Sequence, residues 1–333
     1  MKRRDVLRVL AVAVAAIGCG RSGSGSGSAS ASGSASASAS ASASASASAS
    51  ASGSASASGS ASAPLRIGVT LHPYYSWTAN IIAGVPGAEV VPVLPGEIDA
   101  GNYQPSPDDI AKLAHLDAIV INGIGHDDFI RPMIKASGND HLVVIEANAE
   151  TPLVKSAHGD APNSHTFLSF ENAIAQSKLI ARRLGQIRPA AAATLSANAR
   201  SYGDKLRAIE QAAATQLAHA KIKRVVTVHD GYTYLLQEFG IELAGVVQPA
   251  HGLTPSAKEL ADMIALVKAQ HISIVLSEQD FPAKLLATLT DATGAKVYII
   301  SHVAVGDYSP TEFETAMSTN AATLVKALVT DPP

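Results

Sequence analysis

"LDAIVINGIGHDDF", residues 116–129, is a nearly unbroken apolar run that gives way to two glycines, a histidine and two aspartates. A short apolar run closed by turn residues is expected of a strand covered on both faces, as in a parallel sheet. Three runs of the same kind surround it: "LRIGVTL" (65–71), "AEVVPVL" (88–94) and "LVVIEA" (142–147). Amphipathic stretches separate them. One of these, "PDDIAKLAHL", follows Ser106 and opens on Pro107 and two acids, the signals of a helix start. A second set of strands is expected at 223–229, 242–248, 272–278 and 296–302.

Between the two sets lies an Ala-rich stretch, 189–220, with almost no Gly or Pro inside. As a helix it would run ~45 Å at 1.5 Å per residue, more than one small lobe needs. The expected fold is therefore α/β: two lobes, each with a four-stranded, mainly parallel sheet, bridged by a long helix, with the site in the cleft between them. The expected divisions are an N-terminal lobe at 65–188, the spanning helix at 189–220 and a C-terminal lobe at 221–333. A single eight-stranded, doubly wound sheet would leave the long helix without a place.

The chain begins with a basic start, a short apolar run and small residues before its single cysteine, Cys19. About a dozen apolar residues are fewer than the ~20 a membrane-spanning helix needs, so 1–18 read as a signal peptide. "AIGC" resembles a lipobox, which makes Cys19 the expected lipidation site, and "KRRDVLR" resembles a twin-arginine export signal. Residues 19–64 are almost wholly Ser, Ala and Gly. They cannot repay their ordering entropy by burial, and a coil of this size reaches on the order of 35–40 Å. The expectation is an exported lipoprotein, periplasmic or on the cell surface, tethered to a membrane and monomeric. Linker alanines inflate the 47% hydrophobic content. A net charge of −3, with no basic patch interleaved with aromatics, argues against a nucleic-acid partner.

In open α/β sheets ligands bind beyond the carboxyl ends of the strands. Here those positions hold histidine: His72, His126, His229 and His302 each follow an expected strand, and His165 stands in "APNSHTFLS" before a helix expected near Ser169. His115, His141, His219 and His271 look like surface or helix-end residues. Neutral imidazoles converging on one cleft suit zinc and other borderline metals. No HExxH, HxH or Cys pair is present, so a metal site has to be assembled from distant loops. "NGIGHDDF" lacks the third glycine of a dinucleotide fingerprint and the Lys-Ser/Thr of a P-loop. His126 with Asp127 and Asp128 could form an acid–base cluster, but no nucleophile joins it. A zinc hydrolase would need a base, for which Glu278 is conceivable.

From Leu65 onward the chain resembles the zinc/manganese-binding proteins of bacterial ABC importers. "NYQPSPDDIAKLAHLDAIVINGIG" is similar to that family's H-x-Y-x-P-x-P-x-D segment and the strand after it. "NSHTFLSFENA" resembles its D-P-H-x-W-L-D-P-x-N-A signature, "VHDGYTYLLQEFGI" its H-x-A-x-x-Y-x-x-x-x-G-L signature, and "SEQDFPAKL" its E-P-Q-F-S-P-K element. The resemblance implies a binding protein that is not an enzyme, captures Zn2+ (or Mn2+ or another divalent metal) and delivers it to an inner-membrane ABC permease. It also implies four ligands, two from each lobe. Carried over, the second falls on His165 and the third on His229. The fourth, an Asp in the family, falls about His302, which would make the site softer and more zinc-like.

The first ligand departs from the pattern. Aligning "DAGNYQP" with the family's D-P-H-x-Y-x-P puts Gly101 where the ligand histidine belongs. Three readings stay open: three histidines completed by water, as zinc tolerates; a fourth ligand from His126, His72 or Asp99; or a degraded site on a binding or adhesin-like scaffold. His158 and His251 sit on loops that could catch or pass on ions.

Overall fold

The computed structural model describes residues 64–157, 159–248, 252–330 and 332. The signal, Cys19 and nearly all of the Ser/Ala/Gly stretch, together with His158 and His251, lie outside the described residues.

Each expected apolar run contains a strand. The first sheet is built from β1 (Leu65–Val69), β2 (Ala88–Pro92), β3 (Ala118–Ile121) and β4 (Val143–Glu146), in the order β2-β1-β3-β4. The second repeats that order as β6-β5-β7-β8, from β5 (Arg224–Thr227), β6 (Glu242–Val246), β7 (Ile274–Ser277) and β8 (Lys296–Ile299). Every pairing in both is parallel; Ile67, for example, is in register with Val90 on one side and Ala118 on the other. The strands end two to three residues before most of the apolar runs do. The surplus residues, Leu71, Leu94 and Val228, are buried in the turns that leave the sheet, so burial rather than strand pairing explains their character.

Helices fill the connections: α1 (His72–Ile81), α2 (Pro107–Leu113), α3 (Ile130–Ser137), α4 (Phe170–Ile187), α5 (Ala192–Leu217), α6 (Thr233–Glu238), α7 (Ala257–Ala269), α8 (Ala283–Thr293) and α9 (Glu312–Val325). The start of α2 is a capping box: Ser106 accepts from the Asp109 amide and Asp109 accepts from the Ser106 amide. Ser169 caps α4 through the Asn172 amide. No helix among the described residues is long and apolar enough to cross a membrane.

The long helix α5 has 26 residues, about 39 Å at 1.5 Å per residue. Its buried positions Leu195, Ala199, Tyr202, Leu206, Ala213 and Leu217 keep three- and four-residue spacing or its multiple, the stripe of a helix with one core face. Gly203 lets α4 approach closely, since a Cβ there would stand 3.2 Å from Ile174 Cγ2. The helix packs against α1 of the first half and α9 of the last, and one apolar cluster runs from Leu65 through Leu206 to Phe313. The chain then returns to the first half: Ser76 Oγ donates to the Ser309 carbonyl, and the Trp77 and Phe313 rings meet edge-on at 5.1 Å.

Candidate metal centre

In both sheets the central strands mark a switch in connection direction, β1/β3 in one and β5/β7 in the other, and the loops leaving those strand ends converge. The β3 exit, the opening stretch of sequence, is organised by Asp127. Its buried carboxylate accepts from Thr70 Oγ1 (2.6 Å) and from the amides of Asn122 (2.6 Å) and Gly123 (3.3 Å). Burial pushes its pKa up despite those donors. Asp127 is therefore committed to holding the turn, and the acid–base pairing with His126 is not formed. Gly123 and Gly125 take left-handed backbone, as does His126 (φ 71°), which turns the imidazole inward.

There His126 begins a chain of rings. Its centroid is 4.8 Å from that of His165, His165 is 4.5 Å from His229, and His229 is 5.8 Å from His302. All four meet edge to face. His165 and His229 are buried, and the side chains of His126 and His302 are 3% and 15% exposed. Of the five histidines that the sequence places at the cleft, the structure brings four together. His302 is followed by Val303 in left-handed backbone (φ 57°), an unfavourable setting for a β-branched residue at a cost of order 1–3 kcal/mol.

Asp99 completes the group. The loop after β2 makes a 3-10 turn over Ala100–Asn102, and Asp99 caps it by accepting from the Gly101 amide at 2.7 Å. Its carboxylate then faces two imidazoles: Oδ2 is 2.8 Å from His302 Nε2 and Oδ1 is 3.6 Å from His126 Nε2. Gly101 itself is exposed. Two residues upstream of the aligned ligand position, the loop turns the Asp99 carboxylate toward the histidines.

Glu278, at the β7 end, stands behind the second-half histidines. Its Oε1 is 2.9 Å from His229 Nδ1 and its Oε2 is 3.7 Å from His302 Nδ1, while the Tyr232 hydroxyl donates to Oε1 at 3.0 Å. Burial pushes its pKa up, but the His229 bond, the histidine charges and Tyr232 outweigh this and leave it below the usual carboxylate value. So engaged, Glu278 is an ionised partner of imidazoles and not a base facing open space. For His302, burial pushes the pKa down, but Asp99 and Glu278 outweigh it and leave it above the ordinary imidazole value.

Two residues passed over in the sequence also belong here. Asp230 Oδ1 is 3.7 Å from His229 Nε2, and donor atoms of His165, His229 and Asp230 lie within 4.8 Å of one another. The other oxygen of Asp230 accepts from Ser156 Oγ at 2.7 Å, tying down the loop before His165. Asn163 Oδ1 is 3.0 Å from His165 Nδ1. Both lie within two residues of a named histidine, and that proximity was the only signal available.

His72 stays apart. Its Nε2 donates to the Gly96 carbonyl at 3.1 Å and its ring meets Tyr308 edge-on at 4.1 Å. Burial lowers its pKa to about 4. Its neighbours Tyr74 and Trp77 are wholly buried in the core. His115, His141, His219 and His271 are all exposed, as expected. A cavity of about 460 Å³ reaches the cluster, lined by Glu97, Asp99, Glu278, Asp280 and His302 among others. Among the described residues that line it there are carboxylates and no Lys or Arg, so it favours cations.

Chemically, four imidazoles and one to three carboxylates, buried together, suit a divalent first-row transition metal. The set is harder than an all-histidine one.

The sequence profile of the family described as zinc-uptake complex component A, periplasmic, matches residues 67–327. The structure of the SBP FpvC from Pseudomonas aeruginosa in complex with Mn2+ is 43% identical, covering 81% of this chain and 100% of that one, with a TM-score of 0.76. The same protein has been solved with a Ni2+ ion (42% identical, 81% and 98% covered, TM-score 0.75). The high-affinity zinc uptake system protein ZnuA of Bacillus subtilis is 23% identical over 250 residues, 71% of this chain and 78% of that protein. The zinc-binding lipoprotein AdcA of Streptococcus pneumoniae is 24% identical over 250 residues, 71% of this chain, which spans only 50% of AdcA. With the match spanning nearly all of both sheets, the chain belongs to the zinc-uptake complex component A family of periplasmic proteins.

Proposed function

We propose that this chain is the extracytoplasmic solute-binding component of an ABC importer, that it captures a divalent transition metal, Zn2+ first among them, and that it hands the ion to a membrane permease. The observation that carries the reading is the convergence of His126, His165, His229 and His302 with Asp99 from loops of both sheets. The ion is cargo. Binding needs no chemistry beyond displacing protons from imidazole and closing the donors around the charge. The family's zinc names favour Zn2+. The carboxylates among the donors, and the Mn2+ and Ni2+ held by the similar FpvC, widen the range to harder ions. Lipidation at Cys19 and a Ser/Ala/Gly leash would keep the binding domain beside the permease.

Of the three readings left by Gly101, the geometry favours the replacement ligand. His126 stands against His165, and Asp99 faces both His126 and His302, which supports a ligand drawn from them over water completion or degradation. The test is zinc titration of the full chain against a chelating dye, repeated with alanine at each of the four histidines and at Asp99. Tight one-to-one binding that each variant weakens supports the proposal. Absence of tight binding by the unaltered chain, for Zn2+, Mn2+ and Ni2+ alike, defeats it.

A further inference from the structure

We infer that Asn163 and Glu278 are positioning residues that hold His165 and His229 as the Nδ1–H tautomer, so that Nε2 is the atom each presents to the cation. The inference rests on the metal-binding reading and names the residues that set its geometry.

Asn163 Oδ1 takes two bonds from His165, one from the backbone amide at 2.9 Å and one from ring Nδ1 at 3.0 Å. Which end of the amide is oxygen is fixed by the other end: Nδ2 points to the Asp230 carbonyl at 2.9 Å, and a carbonyl only accepts. Oδ1 is therefore an acceptor, and Nδ1 of His165 carries the hydrogen.

The same logic fixes His229. Its Nδ1 is 2.9 Å from Glu278 Oε1, which also accepts from the Tyr232 hydroxyl. Since Oε1 already accepts from that hydroxyl, it faces Nδ1 as an acceptor, and Nδ1 is again the donor. Imidazole in water prefers its hydrogen on Nε2, and the two acceptors oppose that preference. Gly231 keeps the two rings together, because a Cβ there would lie 2.9 Å from His229 Cε1 and 3.1 Å from His165 Cδ2. Outer acceptors of this kind fix ring orientation and raise ligand basicity, and losing one costs roughly 10–100-fold in metal affinity. Glu278 has a second oxygen 3.7 Å from His302 Nδ1, so one carboxylate backs both histidines of the second half.

The rival role is Glu278 as a ligand in its own right. The experiment is long-range 1H–15N correlation on the full chain labelled in histidine and stripped of metal, at pH ~9, above the imidazole range. The expected result is Nδ1–H at His165 and His229. In Glu278→Ala the His229 signal should move to Nε2–H while His165 stays, and in Asn163→Ala the reverse. Zn2+ affinity should fall about 10–100-fold in each. Co2+-loaded Glu278→Ala should keep the visible band intensities of the unaltered chain, because no ligand has been removed. Nε2–H at either histidine in the unaltered chain overturns the inference without requiring any variant to fold or any metal to bind. So does an unmoved tautomer in the matching variant, or a Co2+ spectrum showing a lost ligand. Failure of the metal-binding reading would look different: correct tautomers, and no imidazole responding to added zinc.

Discussion

The two halves of the molecule share a strand order and bring donors to the same place, yet they aim those donors by different means. In the first half the backbone aims two of the three donors, His126 and Asp99, and only His165 is held by a side chain, that of Asn163. His126 sits in left-handed conformation between a glycine and the buried Asp127 bracket, and Asp99 caps a one-turn helix through the amide of Gly101. In the second half side chains do it: Glu278, itself bonded by Tyr232, backs His229 and stands near His302. A donor aimed by backbone depends on its loop staying folded, whereas one aimed by a carboxylate depends on a single charge. Variants of the two kinds should therefore fail in different ways.

The largest expected effect is common to both halves. His229→Ala and His126→Ala should each weaken Zn2+ binding roughly a hundred- to a thousandfold, since structural zinc binding of ~10–16 kcal/mol is shared over about four ligands. Dye competition measures it, and a loss under tenfold for either would remove that residue from the ligand set.

Asp127→Ala separates the halves. It deletes an acceptor serving three buried donors, so it should cost about 2–3 kcal/mol in urea unfolding and weaken the metal site through His126. Glu278→Ala should instead show the affinity loss with a smaller change in stability. Equal stability costs would erase the distinction drawn between the halves.

A pH prediction follows from His302. Its folded value is raised, so the stability it contributes is fully present below the unfolded value of ~6.5 and is lost as pH rises through the folded value. Protein stripped of metal should therefore lose that contribution on the alkaline side. Zinc must displace the same proton, so proton release on binding at neutral pH, read in buffers of different ionisation enthalpy, should include His302 and shrink in His302→Ala. Unchanged release in that variant would contradict the assignment.

The smallest effect concerns Gly101. Restoring the family's residue with Gly101→His should change affinity by no more than about twofold, as for a surface substitution worth ~0.5 kcal/mol, because position 101 is exposed and Asp99 already faces His302 and His126. A large gain would mean that the loop re-forms around the new imidazole and that Asp99 is a weak substitute.

The fold was legible because its signals are local and redundant. Eight apolar runs, the Ser106–Asp109 box and the long Ala-rich stretch each announce an element without reference to the others. The histidines were legible as strand-end residues or, for His165, as a loop residue before a helix, and four of the five so placed are brought together. His72 was not separable from them by position, since it too follows a strand; only the Gly96 carbonyl and Tyr308, supplied by distant turns, divert it. The carboxylates were harder to place. Asp99 and Glu278 were visible as acids near the right motifs, but their roles depend on which imidazole atom they face, a relation across as many as 203 positions. Asp127 looked chemically active and proved to be a bracket, because nothing in "GHDDF" says that the Asn122 and Gly123 amides will fold back onto it.

The most direct test of the account is X-ray absorption at the zinc edge on the one-to-one complex of the full chain. The account predicts a shell of nitrogen and oxygen donors with multiple scattering from four imidazoles and one carboxylate, falling to three imidazoles in His126→Ala. A shell with two or fewer imidazoles, or one unaltered by His126→Ala, would contradict the claim that His126, His165, His229, His302 and Asp99 hold a single ion.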